Sequence, residues 1–122
     1  MHKETHLPLN HGETLQIATY GVGGKYEFHF DTDMRMARLA TFIVYLEEPE
    51  EGGETIFPFL PGPNTHGTSL PQAVHPERLH DPDAVAEMKA YCETDQFLKI
   101  PPRKGDALIS VSYTHLTLPT KA

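Results

Sequence analysis

The chain has 122 residues, enough for one ordinary domain with a real core, and nothing in it asks for a second. Its 10 basic against 17 acidic residues, net -7, argue against a nucleic-acid or anionic-membrane surface, and no local basic stripe offsets that balance. The single cysteine, Cys92, excludes an internal disulfide framework, and no apolar run approaches the roughly 18 residues of a membrane span.

The first predicted element is a strand over "ETLQIATY", where Leu15, Ile17 and Thr19 alternate with Gln16, Ala18 and Tyr20. "GVGG" then breaks the run as a tight turn. "KYEFHFD" alternates again: Tyr26, Phe28 and Phe30 are expected on one face, and Glu27, His29 and Asp31 on the other. "RLATFIVYL", Arg38 to Leu46, is apolar at almost every position, a pattern that predicts a strand covered on both faces. "EEPEEGGE" reads as a charged turn in which Gly52 and Gly53 can take positive φ, and "TIFPF" resumes strand character.

From 59 to about 96 the composition shifts to Pro, Gly, His and Asn, an excursion from the sheet and not a domain boundary. Within it "HDPDAVAEMKAYC" predicts a short helix, capped by Asp81, opened by Pro82, and packed through Val85, Met88 and Cys92. "FLKIPPRKGDALISV" then reads as strand, turn, strand, with "KGD" at the turn. Short strands, one brief helix and no βαβ alternation give an all-β expectation, an antiparallel sandwich or jelly roll.

Residues two apart on a strand share a face, so His29 and Asp31 can converge on one ion. An imidazole plus a carboxylate begins a two-His, one-carboxylate triad of the kind that holds iron(II) and leaves positions open. Alone, H-x-D is a weak signal, since a polar strand edge gives the same pattern.

Three blocks raise it: "LQIATYGVGGKYEFHFD", "RLATFIVYLEEPEEGGETIFP" and "PPRKGDALIS" resemble, in order, the prolyl 4-hydroxylase family of iron(II) and 2-oxoglutarate dioxygenases. The resemblance implies a double-stranded β-helix, or jelly roll, with metal ligands His29 and Asp31. It implies that Tyr20 and Thr41 contact the 2-oxoglutarate cosubstrate and that Tyr26 lines the substrate groove. Thr41 shares its face with Ile43 and Tyr45, one wall of the expected lumen. The implied reaction uses Fe(II), 2-oxoglutarate and O2, with ascorbate in support, to hydroxylate a proline in a peptide or protein, and the implied compartment is the endoplasmic reticulum lumen. Phe28 stands where the family usually has proline, which touches substrate fit more than iron binding.

The third metal ligand, a histidine, and the basic partner of the cosubstrate are expected on later strands and have no family match here. The tail "SVSYTHLTLPTKA" resembles a translated adapter, so 1–110 is read as a partial dioxygenase domain with the insertion at 59–96, and 111–122 as a non-native tail. His115 and Lys121 are not expected to complete the site, because His115 should lie on the strand of Leu108 or its fraying end. The chain by itself is then expected to be inactive, with its aromatic strand face partly uncovered. A competing reading is a non-catalytic jelly-roll binding module without the third ligand. A calcium-binding surface, suggested by "HDPD" and the glutamate run, is a weaker third.

Overall fold

A computed structural model describes residues 3, 6–32, 37–62, 75–111, 115–117 and 120–121; the last two stretches and Val111 are described as backbone. The elements in order are β1 (Tyr26–His29), β2 (Ala40–Val44), β3 (Glu51–Gly52), β4 (Thr55–Pro61), α1 (Pro82–Ala90), β5 (Phe97–Ile100), β6 (Ala107–Val111), β7 (His115–Thr117) and β8 (Thr120–Lys121). Every strand pairing is antiparallel. The strands form a four-stranded sheet in the order β1-β7-β4-β5 and two ribbons, β2-β6 and β3-β8. The all-β expectation with one short helix holds at this level.

The core sits where α1 covers β4 and β5. Ile56, Phe97 and Met88 are fully buried with Cys92, and Phe28, Phe59, Leu79 and Tyr91 pack around them. The Asp81 side chain accepts from the backbone N–H groups of Asp83 and Ala84, and Pro82 opens the first turn, so the predicted helix start is observed. Its buried face is Ala84, Met88 and Cys92, a strict i, i+4, i+8 row; Val85, expected there, is only half-buried. Cys92 lies past the helix in a 3-10 turn, Tyr91–Glu93, and burial pushes its thiol up to about 11.

Pro58 is buried in the middle of β4, where it has no N–H for the ladder. The β4–β5 register accordingly shifts between Phe57 and Pro61, and pairing resumes at Pro61 with Phe97.

Two expectations need correction. The run at 13–20 is extended but belongs to no sheet among the described residues, and it leaves Leu15 87% and Ile17 74% exposed. Alternation there lacked a partner strand, and a ladder needs two. β2 is covered on one face only: Thr41, Ile43 and Tyr45 are half-buried, while Phe42 and Val44 are exposed. Its continuous apolar run misled because, among the described residues, β2 pairs with β6 alone in a two-stranded ribbon. The turn at "KGD" does form, with Gly105 at φ 90 donating to the Tyr45 carbonyl at 2.8 Å. The reading as strand, turn, strand therefore holds, and the two strands go to different sheets, β5 to β4 and β6 to β2.

Candidate metal centre

β1 carries a register shift between Tyr26 and His29, where two residues, Glu27 and Phe28, stand opposite one residue of β7. The bulge breaks the simple alternation expected for "KYEFHFD". Tyr26, assigned to the face of Phe28, instead sets its ring against His29, with centroids 4.2 Å apart. Phe28 turns into the core cluster, and Phe30 stacks near Phe59 at 6.5 Å while staying 38% exposed.

The ladder of β1 ends at His29, so Asp31 lies just past it in a bend. The two side chains still converge: His29 Nε2 is 3.2 Å from Asp31 Oδ1. On its other edge His29 Nδ1 lies 2.7 Å from the Glu27 carbonyl oxygen. A carbonyl only accepts, so Nδ1 carries the proton and Nε2 is the nitrogen turned toward the carboxylate. Asp31 is 7% exposed, and its second oxygen, Oδ2, accepts from the Thr41 hydroxyl at 2.5 Å. Without a metal, the bond to Asp31 is the main influence raising the His29 pKa, against a burial effect that lowers it.

These atoms suit a divalent ion. Two donors each about 2.1 Å from one metal and at right angles to each other stand about 3.0 Å apart. The observed 3.2 Å lets Nε2 and Oδ1 reach a common ion with little movement. The Glu27 carbonyl fixes the tautomer such ligation needs, and Thr41 occupies the oxygen that points away. Mixed imidazole and carboxylate donors fit first-row divalent metals.

The other sequence-derived positions lie nearby. Tyr20 is 36% exposed at the end of the extended segment, and burial, then the neighbouring Tyr26, pushes its phenol up. The glycine turn after it forms, with Gly24 donating to the Gly21 carbonyl at 2.8 Å and Gly23 at φ 77. Tyr45, on the Thr41 side of β2, shares a hydrogen bond of 2.8 Å with Thr55 of β4. Thus two side-chain bonds, Thr41 to Asp31 and Tyr45 to Thr55, tie the β2-β6 ribbon to the larger sheet.

Sequence reasoning missed Arg38, Glu13 and Lys89. Arg38 Nη1 donates to the Asp31 carbonyl at 2.9 Å, and its guanidinium holds both oxygens of Glu13 at 2.5 and 2.9 Å. Lys89 of α1 reaches Glu27 Oε2 at 2.6 Å, and that bond is the first reason the Glu27 carboxyl is held below its usual range. No local pattern marks such long-range pairs.

His115 does not continue the strand of Leu108, as expected from spacing. β6 ends at Val111, and β7 is a separate strand between β1 and β4 whose register sets the backbone of His115 opposite His29. His66 of the insertion lies outside the described residues, as does His2. Among the described residues no group of three or more His, Cys, Asp or Glu side chains is gathered as a metal cluster.

Residues 15–122 match the family model described as the 2OG-Fe(II) oxygenase superfamily. Among curated proteins, the chain is 33% identical over 118 residues to "Probable prolyl 4-hydroxylase 9" of Arabidopsis thaliana, covering 90% of this chain and 33% of that protein. It is 37% identical over 112 residues to "Probable prolyl 4-hydroxylase 7" of the same plant, 86% and 30% covered. With "Prolyl 4-hydroxylase subunit alpha-2" of Gallus gallus it shares 43% identity over 67 residues, 48% of this chain and 12% of that protein. The chain therefore spans a third or less of the length of these relatives. No solved structure matches.

Proposed function

Because this chain belongs to the 2OG-Fe(II) oxygenase superfamily, as a prolyl 4-hydroxylase family member, we propose that it carries the metal-holding part of an iron(II)- and 2-oxoglutarate-dependent dioxygenase acting on peptidyl proline. The observation that carries this reading is the approach of His29 Nε2 to Asp31 Oδ1 at 3.2 Å, with His29 Nδ1 already engaged by the Glu27 carbonyl. When bound, iron(II) would, with 2-oxoglutarate and O2, supply the oxidising chemistry that hydroxylates an unactivated carbon, one oxygen atom going to that carbon and the other to succinate, with carbon dioxide released.

The chain's own residues bind and orient. His29 and Asp31 hold the metal from the edge of a jelly-roll sheet. Thr41 orients the Asp31 carboxylate through Oδ2, and its hydroxyl oxygen keeps acceptor capacity but only one proton. With that proton directed at Asp31, contact of Thr41 with the cosubstrate requires the hydroxyl to turn or to meet it through water. Tyr26, its ring against His29, would serve the peptide, and Tyr20, a neighbour of Tyr26, the cosubstrate. Ascorbate as a supporting reductant and the endoplasmic reticulum lumen as compartment belong to the same proposal.

The test is an oxygen-free titration of the chain with iron(II), or with cobalt(II) as a surrogate, for wild type, His29→Ala and Asp31→Ala. Saturable one-to-one binding that either variant abolishes is expected. Binding that survives both substitutions would overturn the assignment and favour a binding module indifferent to iron. A His115→Ala arm decides whether β7 supplies the third donor: weakened binding assigns it, and unchanged binding removes it.

A further inference from the structure

Asp31 poses a mechanical problem. It lies beyond the last ladder residue of β1, so the ladder of that strand does not set its position, yet its carboxylate is buried and must meet His29. Two groups from one short stretch grip it. Thr41 holds the carboxylate through Oδ2, and Arg38, three residues earlier, holds the carbonyl at 2.9 Å. Arg38 is itself anchored, because Nε and Nη2 form a two-bond fork with Glu13, 25 residues back in the extended segment.

Resting on the metal-site reading above, we propose that Arg38, held by Glu13, is a positioning residue that fixes the Asp31 backbone and so aims Oδ1 at the metal shared with His29. The planar guanidinium spends separate N–H groups on three acceptors at once, which a lysine ammonium cannot do in the same geometry. The pair is 30% and 43% exposed, so its direct contribution to stability is small. Its effect is therefore on where Asp31 points, more than on whether the chain folds. The extended segment at 13–20, which joins no sheet among the described residues, thereby gains a structural role, since it delivers Glu13.

Arg38→Lys and Glu13→Gln, in the full 122-residue chain, test this by cobalt(II) affinity and by the melting temperature of the metal-free protein. Each is expected to weaken cobalt binding about tenfold, the usual scale for groups behind a metal ligand, with the metal-free melt essentially unmoved. The double variant should be little worse than either single, because both remove one clamp. Affinity within about twofold of wild type in Glu13→Gln would overturn the proposal, since the usual loss at such positions is larger, and that variant decides alone if Arg38→Lys does not fold. A lowered melt with unchanged affinity would also overturn it, in favour of a merely structural pair. If the wild type takes up no metal, the metal-site reading fails. The clamp is then judged by the 15N resonance of His29 Nε2 in the metal-free chain: it should move in Arg38→Lys, and an unmoved signal contradicts the clamp.

Discussion

Two halves of this molecule share strand chemistry but not packing. Around β4, β5 and α1, Ile56, Phe97 and Met88 lose essentially all contact with water. Along β2 and β6, Phe42, Val44 and Ile109 remain 39%, 46% and 38% exposed, and Leu15 and Ile17 of the 13–20 segment, with Val22 of the glycine turn, are more open still. The first half is stabilised by burial; the second is attached to it by a few polar bonds. The proposed metal site stands on the seam, with His29 from the packed sheet and Asp31 tied to Thr41 of the open ribbon.

The largest effect should come from the packed half. Phe97→Ala is expected to cost about 3–5 kcal/mol, whereas Phe42→Ala should change stability by about 0.5 kcal/mol or less. Chemical denaturation of both variants measures the contrast, and equal losses would erase it. Next in size is the seam. Tyr45→Phe removes the bond to Thr55 and should cost about 1 kcal/mol, while Phe42→Thr combined with Ile109→Thr should leave stability alone and reduce binding of a hydrophobic dye.

Cys92 reports on the packed half chemically. With its thiol pushed up to about 11 by burial, it should resist a thiol reagent at about pH 8 and react only when denaturant opens the core. Rapid labelling of the native chain would mean that α1 does not seal β4 and β5. The smallest effect belongs to the helix cap. The hydrogen bond from Arg78, then those from the N–H groups of Ala84 and Asp83, hold the Asp81 carboxyl below its usual range. A depressed folded pKa stabilises above the unfolded value and is lost as pH falls through the folded one. Asp81→Asn should therefore keep the cap and flatten the acid limb of the melt slightly, while Asp81→Ala loses both.

Local chemistry was legible in the sequence, and pairing was not. The Asp81–Pro82 helix start, the glycine turns at Gly23, Gly52, Gly53 and Gly105, and the inward row Thr41, Ile43, Tyr45 all follow from rules spanning a few residues. Sheet membership depends on partners far along the chain, so the 13–20 run and the two-sided burial of β2 were misjudged. At the candidate site, His29, Asp31, Thr41, Tyr20 and Tyr26 were singled out because the H-x-D pair sits in blocks that resemble a family. The bulge that swings Tyr26 against His29 and the Glu13–Arg38 clamp were not, since each is set by contacts that neither periodicity nor a motif encodes.

The most direct test watches the His29 ring itself. On titrating the 15N-labelled chain with zinc(II), a redox-inert diamagnetic surrogate, the account predicts that the Nε2 resonance shifts on binding. Nδ1, engaged by the Glu27 carbonyl, should keep its proton, and the change should vanish in Asp31→Ala. A shift centred on Nδ1, or a His29 ring indifferent to metal, would contradict it.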